Sequence, residues 1–258
     1  MRYFLKIAYN GSSFHGWQIQ PNAVSVQETL EKNLSLILRQ NINITGAGRT
    51  DSGVHAREMY AHFDFNKEIE NKDKFLLSLN RLSGKYIAIY DLIRVNENSH
   101  ARFDALERTY KYFVGFNKNP FLGDYYWHSP SQLDLNNMNE AANCLLQTVD
   151  FTSFAKLHSD SKTNICKVNK ALWKNLDEDP EALEFIGDID NGIVFTISAD
   201  RFLRNMVRAI VGTLVEIGRG KLTLTEFKDI IKKRNRCDAG SSMPAHALFL
   251  WNIKYAFL

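Results

Sequence analysis

Cysteine is scarce in this chain. Cys144, Cys166 and Cys237 stand far apart with no C-x-x-C pair. An odd, unclustered count reads as reduced thiols of a cytoplasmic protein, neither a disulfide frame nor a zinc site. The seven histidines form no H-E-x-x-H and no H-x-E beside a cysteine pair, so neither a metal nor a cofactor is expected. The opening residues Met1 to Lys6 lack an apolar leader core, and no apolar run approaches spanning length; neither a secretory signal nor a membrane segment is expected. Charge of one sign is also lacking. Lys and Arg number 32 against 29 Asp and Glu, a net +3, so composition alone says little about nucleic acid, for which clustering matters. What remains is an ordinary globular chain of 258 residues, 45% hydrophobic, long enough for one large or two modest cores.

The unusual stretch is Gly46-Ala47-Gly48-Arg49-Thr50-Asp51-Ser52-Gly53-Val54-His55-Ala56. Its glycines permit positive φ and close approach of a ligand. Asp51 is the only carboxylate between Glu31 and Glu58, and Arg49 precedes it by two residues. In an extended segment both would share one face. The plain reading is a Gly/Asp/Ser/Thr connection between two apolar runs. A nucleotide loop fails on spacing: Gly46-x-Gly48-x-x-x-x-Gly53 is not G-x-G-x-x-G, and no Gly-Lys-Ser/Thr follows.

Residues 2–9 alternate as a strand, with Tyr3, Leu5, Ile7 and Tyr9 on one side. The loop from Asn10 to Gln18 carries Phe14 and Trp17, either folded onto the core or presented to a base. Ser25-x-x-Glu28 caps a helix with Val26, Leu30, Leu34, Ile37 and Leu38 on its stripe. A short strand at 42–45 follows, then residues 59–65, with Met59, Ala61, Phe63 and Phe65 inward. A helix on Phe75, Leu79 and Leu82 and a strand at 86–93 complete the order β-α-β-β-α-β. The second half repeats it: a strand at 109–116, a helix near 135–147, strands near 164–175 and 192–199, a helix from about 201, another capped by Thr223-x-x-Glu226, and a strand at 247–255. Asp177-Glu178-Asp179-Pro180 between two of these strands reads as a solvated hairpin tip. The fold expected is α+β: two ferredoxin-like halves, residues 1–104 and 105–258, related by a pseudo-twofold. They would join into one largely antiparallel sheet with helices on one face.

Two further blocks carry charge beside aromatics. Arg102-Phe103-Asp104-Ala105 and Glu107-Arg108-Thr109-Tyr110-Lys111-Tyr112 present either stacking platforms between phosphate contacts or tyrosines capping a core. Phe202 to Gly212 reads as a helix in which Arg204 and Arg208 border an apolar stripe. Such arginines usually snorkel, but a partly buried one needs a carboxylate, and Asp51 is a candidate.

Gly48 to Ala56, written G-R-T-D-x-G-V-H-A, resembles the signature of the tRNA pseudouridine synthase A family. R-F-D-A with R-T-Y-x-Y, and F-L-x-x-M-V-R-x-I-V-G, resemble that family in the same order. The resemblance implies Asp51 as nucleophile, Arg208 as its ion-pair partner and Tyr110 as the tyrosine that stacks on the base and can pass a proton. It also implies uridines 38, 39 and 40 of the tRNA anticodon arm as substrate, and a homodimer. Arg49 would fill the gap left by a flipped base, and Arg108 and Arg204 would touch RNA. The chain departs from the family at Glu58-Met59, commonly Gly-Gln, and at Ala247, commonly Gly.

Turning uridine into pseudouridine breaks N1–C1′ and joins C5 to C1′, with no redox change. It needs an ionised carboxylate in a dry site, where desolvation disfavours the charge and an arginine restores it. Two rivals stand beside this reading. A non-catalytic RNA-binding protein could use the same sheet. A base hydrolase would want a second acid, which the loop lacks.

Overall fold

The computed structural model describes residues 1–157, 163–187, 189 and 191–258. In chain order its strands and helices are β1 (Arg2–Tyr9), α1 (Val26–Leu38), β2 (Thr45–Gly46), β3 (His55–Asp64), α2 (Lys72–Ser83), β4 (Ile87–Val95) and β5 (Glu107–Gly115). They continue with β6 (Trp127–His128), α3 (Leu135–Cys144), β7 (Val168–Asn175), α4 (Pro180–Ile186), β8 (Ile193–Ala199), α5 (Met206–Gly218), α6 (Leu224–Lys233) and β9 (Leu248–Lys254). Two compact units result, Met1–Leu106 with Phe249–Leu258, and Glu107–Leu248. Both are α+β. Among the described residues no helix is long and apolar enough to cross a membrane.

In the first unit β1 pairs antiparallel with β4 on one side and β3 on the other, and β2 pairs with β3. That order, 4-1-3-2, is the ferredoxin-like arrangement. β9 adds a short parallel pairing to β3, His55 opposite Phe249 and Ala56 opposite Leu250. Ser25 caps α1, its hydroxyl accepting from Glu28 N at 3.2 Å.

One buried face was expected for β3, but from Met59 to Phe63 both are buried, Tyr60 and His62 included. The cover comes from the far end of the chain: Tyr255 packs edge-on against Tyr60 and against Phe4 of β1, and Phe257 also meets Phe4. Full burial of a large side chain contributes about 1.5–3 kcal/mol; Tyr255 is buried and Phe257 remains 45% exposed. On α2 the buried stripe is Phe75, Leu79 and Ser83, and Leu82 is exposed. A step of four twice over replaces the expected four and three because Ser83 faces α1, where Asn33 Nδ2 donates to its hydroxyl at 3.3 Å.

His62 sits in that second face, stacked on Phe4, with Ala101 N donating to its Nδ1 at 3.1 Å. Burial, aided by Arg2 and His100, pushes its imidazole down from 6.5 to about 4. A base whose folded pKa is depressed contributes stability that is complete above pH 6.5 and lost as pH falls toward 4. His62→Gln keeps an acceptor and removes the titration. Denaturant unfolding should therefore show the wild type losing roughly 3 kcal/mol more than the variant between pH 7 and 4. Parallel pH profiles would exclude His62 as the acid-sensitive group.

In the second unit β8 pairs antiparallel with β5 and β7, and β6 runs parallel to the end of β5. α3 packs on α5, α6 and β7. The Thr223–Glu226 capping box at α6 forms in both directions.

Three sequence expectations change in this unit. The acidic run at 177–180 is not a hairpin tip. Asp179 caps α4, accepting from Ala182 N at 3.1 Å, with Pro180 as its first helical residue. The carboxylate also holds the buried Lys111 ammonium at 2.6 Å. The helix expected from about 201 starts at Met206, because Asn205 takes a left-handed φ of 65°. Arg204 therefore stands in the preceding turn, and Arg204 and Arg208 do not share a helix face.

The outermost strand of each unit is met by a helix asparagine. Asn80 of α2 accepts from Ile89 N at 2.9 Å and donates to Ile89 O at 2.8 Å. Asn139 of α3 does the same to Trp173 of β7, at 2.8 and 3.0 Å. Each amide stands in for a neighbouring strand at one residue.

Candidate active site

The Asp51 loop leaves β2, turns and enters β3, all within the first unit. Its entry is fixed by Ala47 N donating to Tyr60 O at 2.8 Å. At its turn Val54 N donates to Asp51 O at 3.1 Å, and Gly53 takes φ 79°. Glycine at the third position of such a turn avoids a Cβ clash. Along the bend Arg49 is exposed, Thr50 buried and Asp51 half-buried. Arg49 and Asp51 are thus each more accessible than the residue between them. Gly48 borders open space, with nothing within 4 Å of a Cβ built there.

The segment from Tyr9 to Trp17 straps the loop from behind. Trp17 N donates to Thr50 O at 3.3 Å, and Gly53 N donates to Phe14 O at 3.3 Å. Gly11 N donates to His55 Nδ1 at 3.1 Å, and His55 stacks on Phe249 with centroids 4.6 Å apart. The Tyr9 and Thr50 hydroxyls share a hydrogen bond of 2.9 Å. A Cβ at Gly16 would stand 2.4 Å from Thr50 O, and one at Gly11 would stand 2.1 Å from Val54 O. Phe14 and Trp17 are both buried. Their aromatic surface supports the loop, so the core reading of these two residues holds over base stacking.

The remaining candidates lie in the second unit. Tyr110 is on β5 opposite Ile197 and nearly buried, its ring edge-on to Phe202 at 5.1 Å. Arg108 is half-buried and donates to Asp200 O at 2.7 Å. Arg204 is exposed. Arg208, half-buried on the first turns of α5, donates from Nε to Met243 O at 2.6 Å, while Met243 N donates to Arg208 O at 3.1 Å.

Sequence reasoning missed the partner of that grip. Tyr112, wholly buried, donates to Pro244 O at 3.1 Å, so neighbouring carbonyls of one segment hold both side chains. Burial pushes the Tyr112 hydroxyl far up, with Arg208 opposing, and it stays neutral. The only sequence signal was Pro244 itself, which stiffens the segment.

The two departures from the family pattern are accommodated. Glu58 is held by Lys6 at 2.7 Å and accepts from Asn252 Nδ2 at 3.3 Å, and Met59 is core. Ala247 closes a 3-10 turn without positive φ, so its Cβ strains nothing. Among the described residues no three His, Cys, Asp or Glu side chains converge as a metal set.

A family model described as tRNA pseudouridine synthase matches residues 141–256. The tRNA pseudouridine synthase A of Bacteroides fragilis is 52% identical over 254 residues, covering 98% of this chain and 96% of that protein. The protein of the same name from Bacillus subtilis is 34% identical over 259 residues, with 99% of each chain covered. The chain belongs to the tRNA pseudouridine synthase A family.

Proposed function

We propose that this chain isomerises uridine to pseudouridine in tRNA, at positions 38, 39 and 40 of the anticodon arm. Asp51 acts as nucleophile on a base swung out of its stack. The observation that carries this reading is the Asp51 loop, whose backbone is fastened from behind while the carboxylate and Arg49 stand on the open side. In the proposal Arg208 forms an ion pair with Asp51, Tyr110 stacks on the uracil and can pass a proton, Arg49 occupies the vacated gap, and Arg108 and Arg204 contact RNA. A cytoplasmic homodimer working without a cofactor completes it.

The test uses tRNA tritiated at uridine C5. When C5 becomes the glycosidic carbon its hydrogen leaves to water, N1 takes up a proton, and the base stays attached. Label should appear in water with the chain intact. An RNA-binding module would release none. A base hydrolase would release labelled uracil and leave an abasic site that alkali cleaves, and label in free uracil would overturn the proposal.

A further inference from the structure

We infer that Tyr9 and Thr50 are positioning residues whose shared hydrogen bond sets where the Asp51 carboxylate stands, an inference that rests on Asp51 being the nucleophile. Asp51 is flanked by two peptide groups, and both are fastened. The carbonyl of Thr50 takes Trp17 N–H at 3.3 Å, and that of Asp51 takes Val54 N–H at 3.1 Å. Those bonds hold the loop backbone on both sides of Asp51. The Thr50 side chain adds a third tie from the core side, since its hydroxyl shares a hydrogen bond with Tyr9 at 2.9 Å.

Tyr9 suits the task because it is not itself on a loop. It ends β1 and pairs with Ala56 of β3 and Ile87 of β4, so its backbone is held on both sides. Its ring lies 6.3 Å from that of Trp17, which is packed so closely that a Cβ on Gly46 would stand 2.5 Å from the indole. Thr50 is buried and its neighbour Asp51 half-buried, the pattern of adjacent residues facing opposite sides of a backbone. An anchor on the buried side therefore aims the carboxylate on the open side. A catalytic group carried by a loop gains the precision of a strand in this way.

Misplacement of a reacting atom by about 1 Å costs up to roughly 100-fold in rate. Tyr9→Phe and Thr50→Val each remove the bond at nearly constant volume. Their single-turnover tritium release at saturating enzyme should fall about 10- to 100-fold. The tRNA Kd should stay within about twofold, because binding rests on phosphate contacts. Thr50→Ser retains the hydroxyl and should stay within about threefold of wild type. The double variant should be no slower than the slower single, the non-additivity expected of one shared interaction.

A purely structural role would lower the melting temperature of Thr50→Val and leave its rate at 25 °C unchanged, and that result would overturn the inference. Should Tyr9→Phe fail to fold, the Thr50 pair decides: slow Val with fast Ser supports positioning, and equal rates overturn it. Wild-type protein that releases no label would refute the proposed function. Label released at the wild-type rate by every variant would refute this inference alone.

Discussion

Asp51→Asn is expected to abolish turnover, by more than about 10⁴-fold, while tRNA affinity stays within a few-fold. The size follows from loss of the nucleophile, which cannot be shared out among neighbouring groups. Asparagine has nearly the same shape, and the backbone bonds of the loop, from Trp17 N to Thr50 O and from Val54 N to Asp51 O, do not involve the side chain. The variant should therefore keep its fold and its open face. Affinity is carried mostly by basic groups meeting phosphate, and removing one negative charge does not weaken that. Single-turnover tritium release measures the first quantity and filter binding at fixed salt the second. Turnover by an asparagine variant shown free of deamidation would remove Asp51 from the nucleophile role.

Gly212→Ala should be the most damaging small substitution in the second unit. A Cβ there would stand 1.9 Å from Ser241 O and 3.5 Å from Met243 Cγ. Backbone must move to admit it, and overpacking of that kind costs about 3 kcal/mol, or roughly 6–12 °C in melting temperature. The segment that must move also carries the carbonyl of Met243, which receives Arg208 Nε. Activity measured well below the melting point should fall as well. Gly48→Ala is the contrasting stability control: its site is open and its φ is not positive, so the midpoint should hardly move. A Gly212→Ala protein as stable as wild type would show that the helix and the 240–243 segment can separate without cost.

Gly212 also shows how much could be read without coordinates. A glycine inside an apolar helix signals a close approach; here the contact is with the 240–243 segment, and nothing local distinguishes a strand from a loop as the partner. Alternation in β1 and β3 revealed one buried face. The second was hidden because its cover, Tyr255 and Phe257, is supplied from the opposite end of the chain. Arg204 was misplaced because the apolar stripe runs on across Asn205, and only asparagine's tolerance of a left-handed backbone hinted at the break. The Asp179-Pro180 pair did carry a helix-start signal, which the surrounding acids obscured.

Asp51 and Arg49 were legible because charged groups among glycines are conspicuous. Tyr9 and Thr50 were not. Their bond joins residues 41 apart in sequence, and a strand-end tyrosine and a loop threonine look ordinary alone.

The asparagine clasps at Ile89 and Trp173 bear on how copies of this chain can meet. Joining strand to strand along β4 or β7 would require an incoming chain to evict an amide that already satisfies both polar groups of the residue it faces. The newcomer would replace two good hydrogen bonds with two of the same kind and gain nothing at that rung. Growth into ribbons from either of these margins is thereby discouraged at the clasped residue. A second copy that binds productively should do so through side chains on helices and loops, and replacing Asn80 or Asn139 by alanine should expose a latent tendency to aggregate.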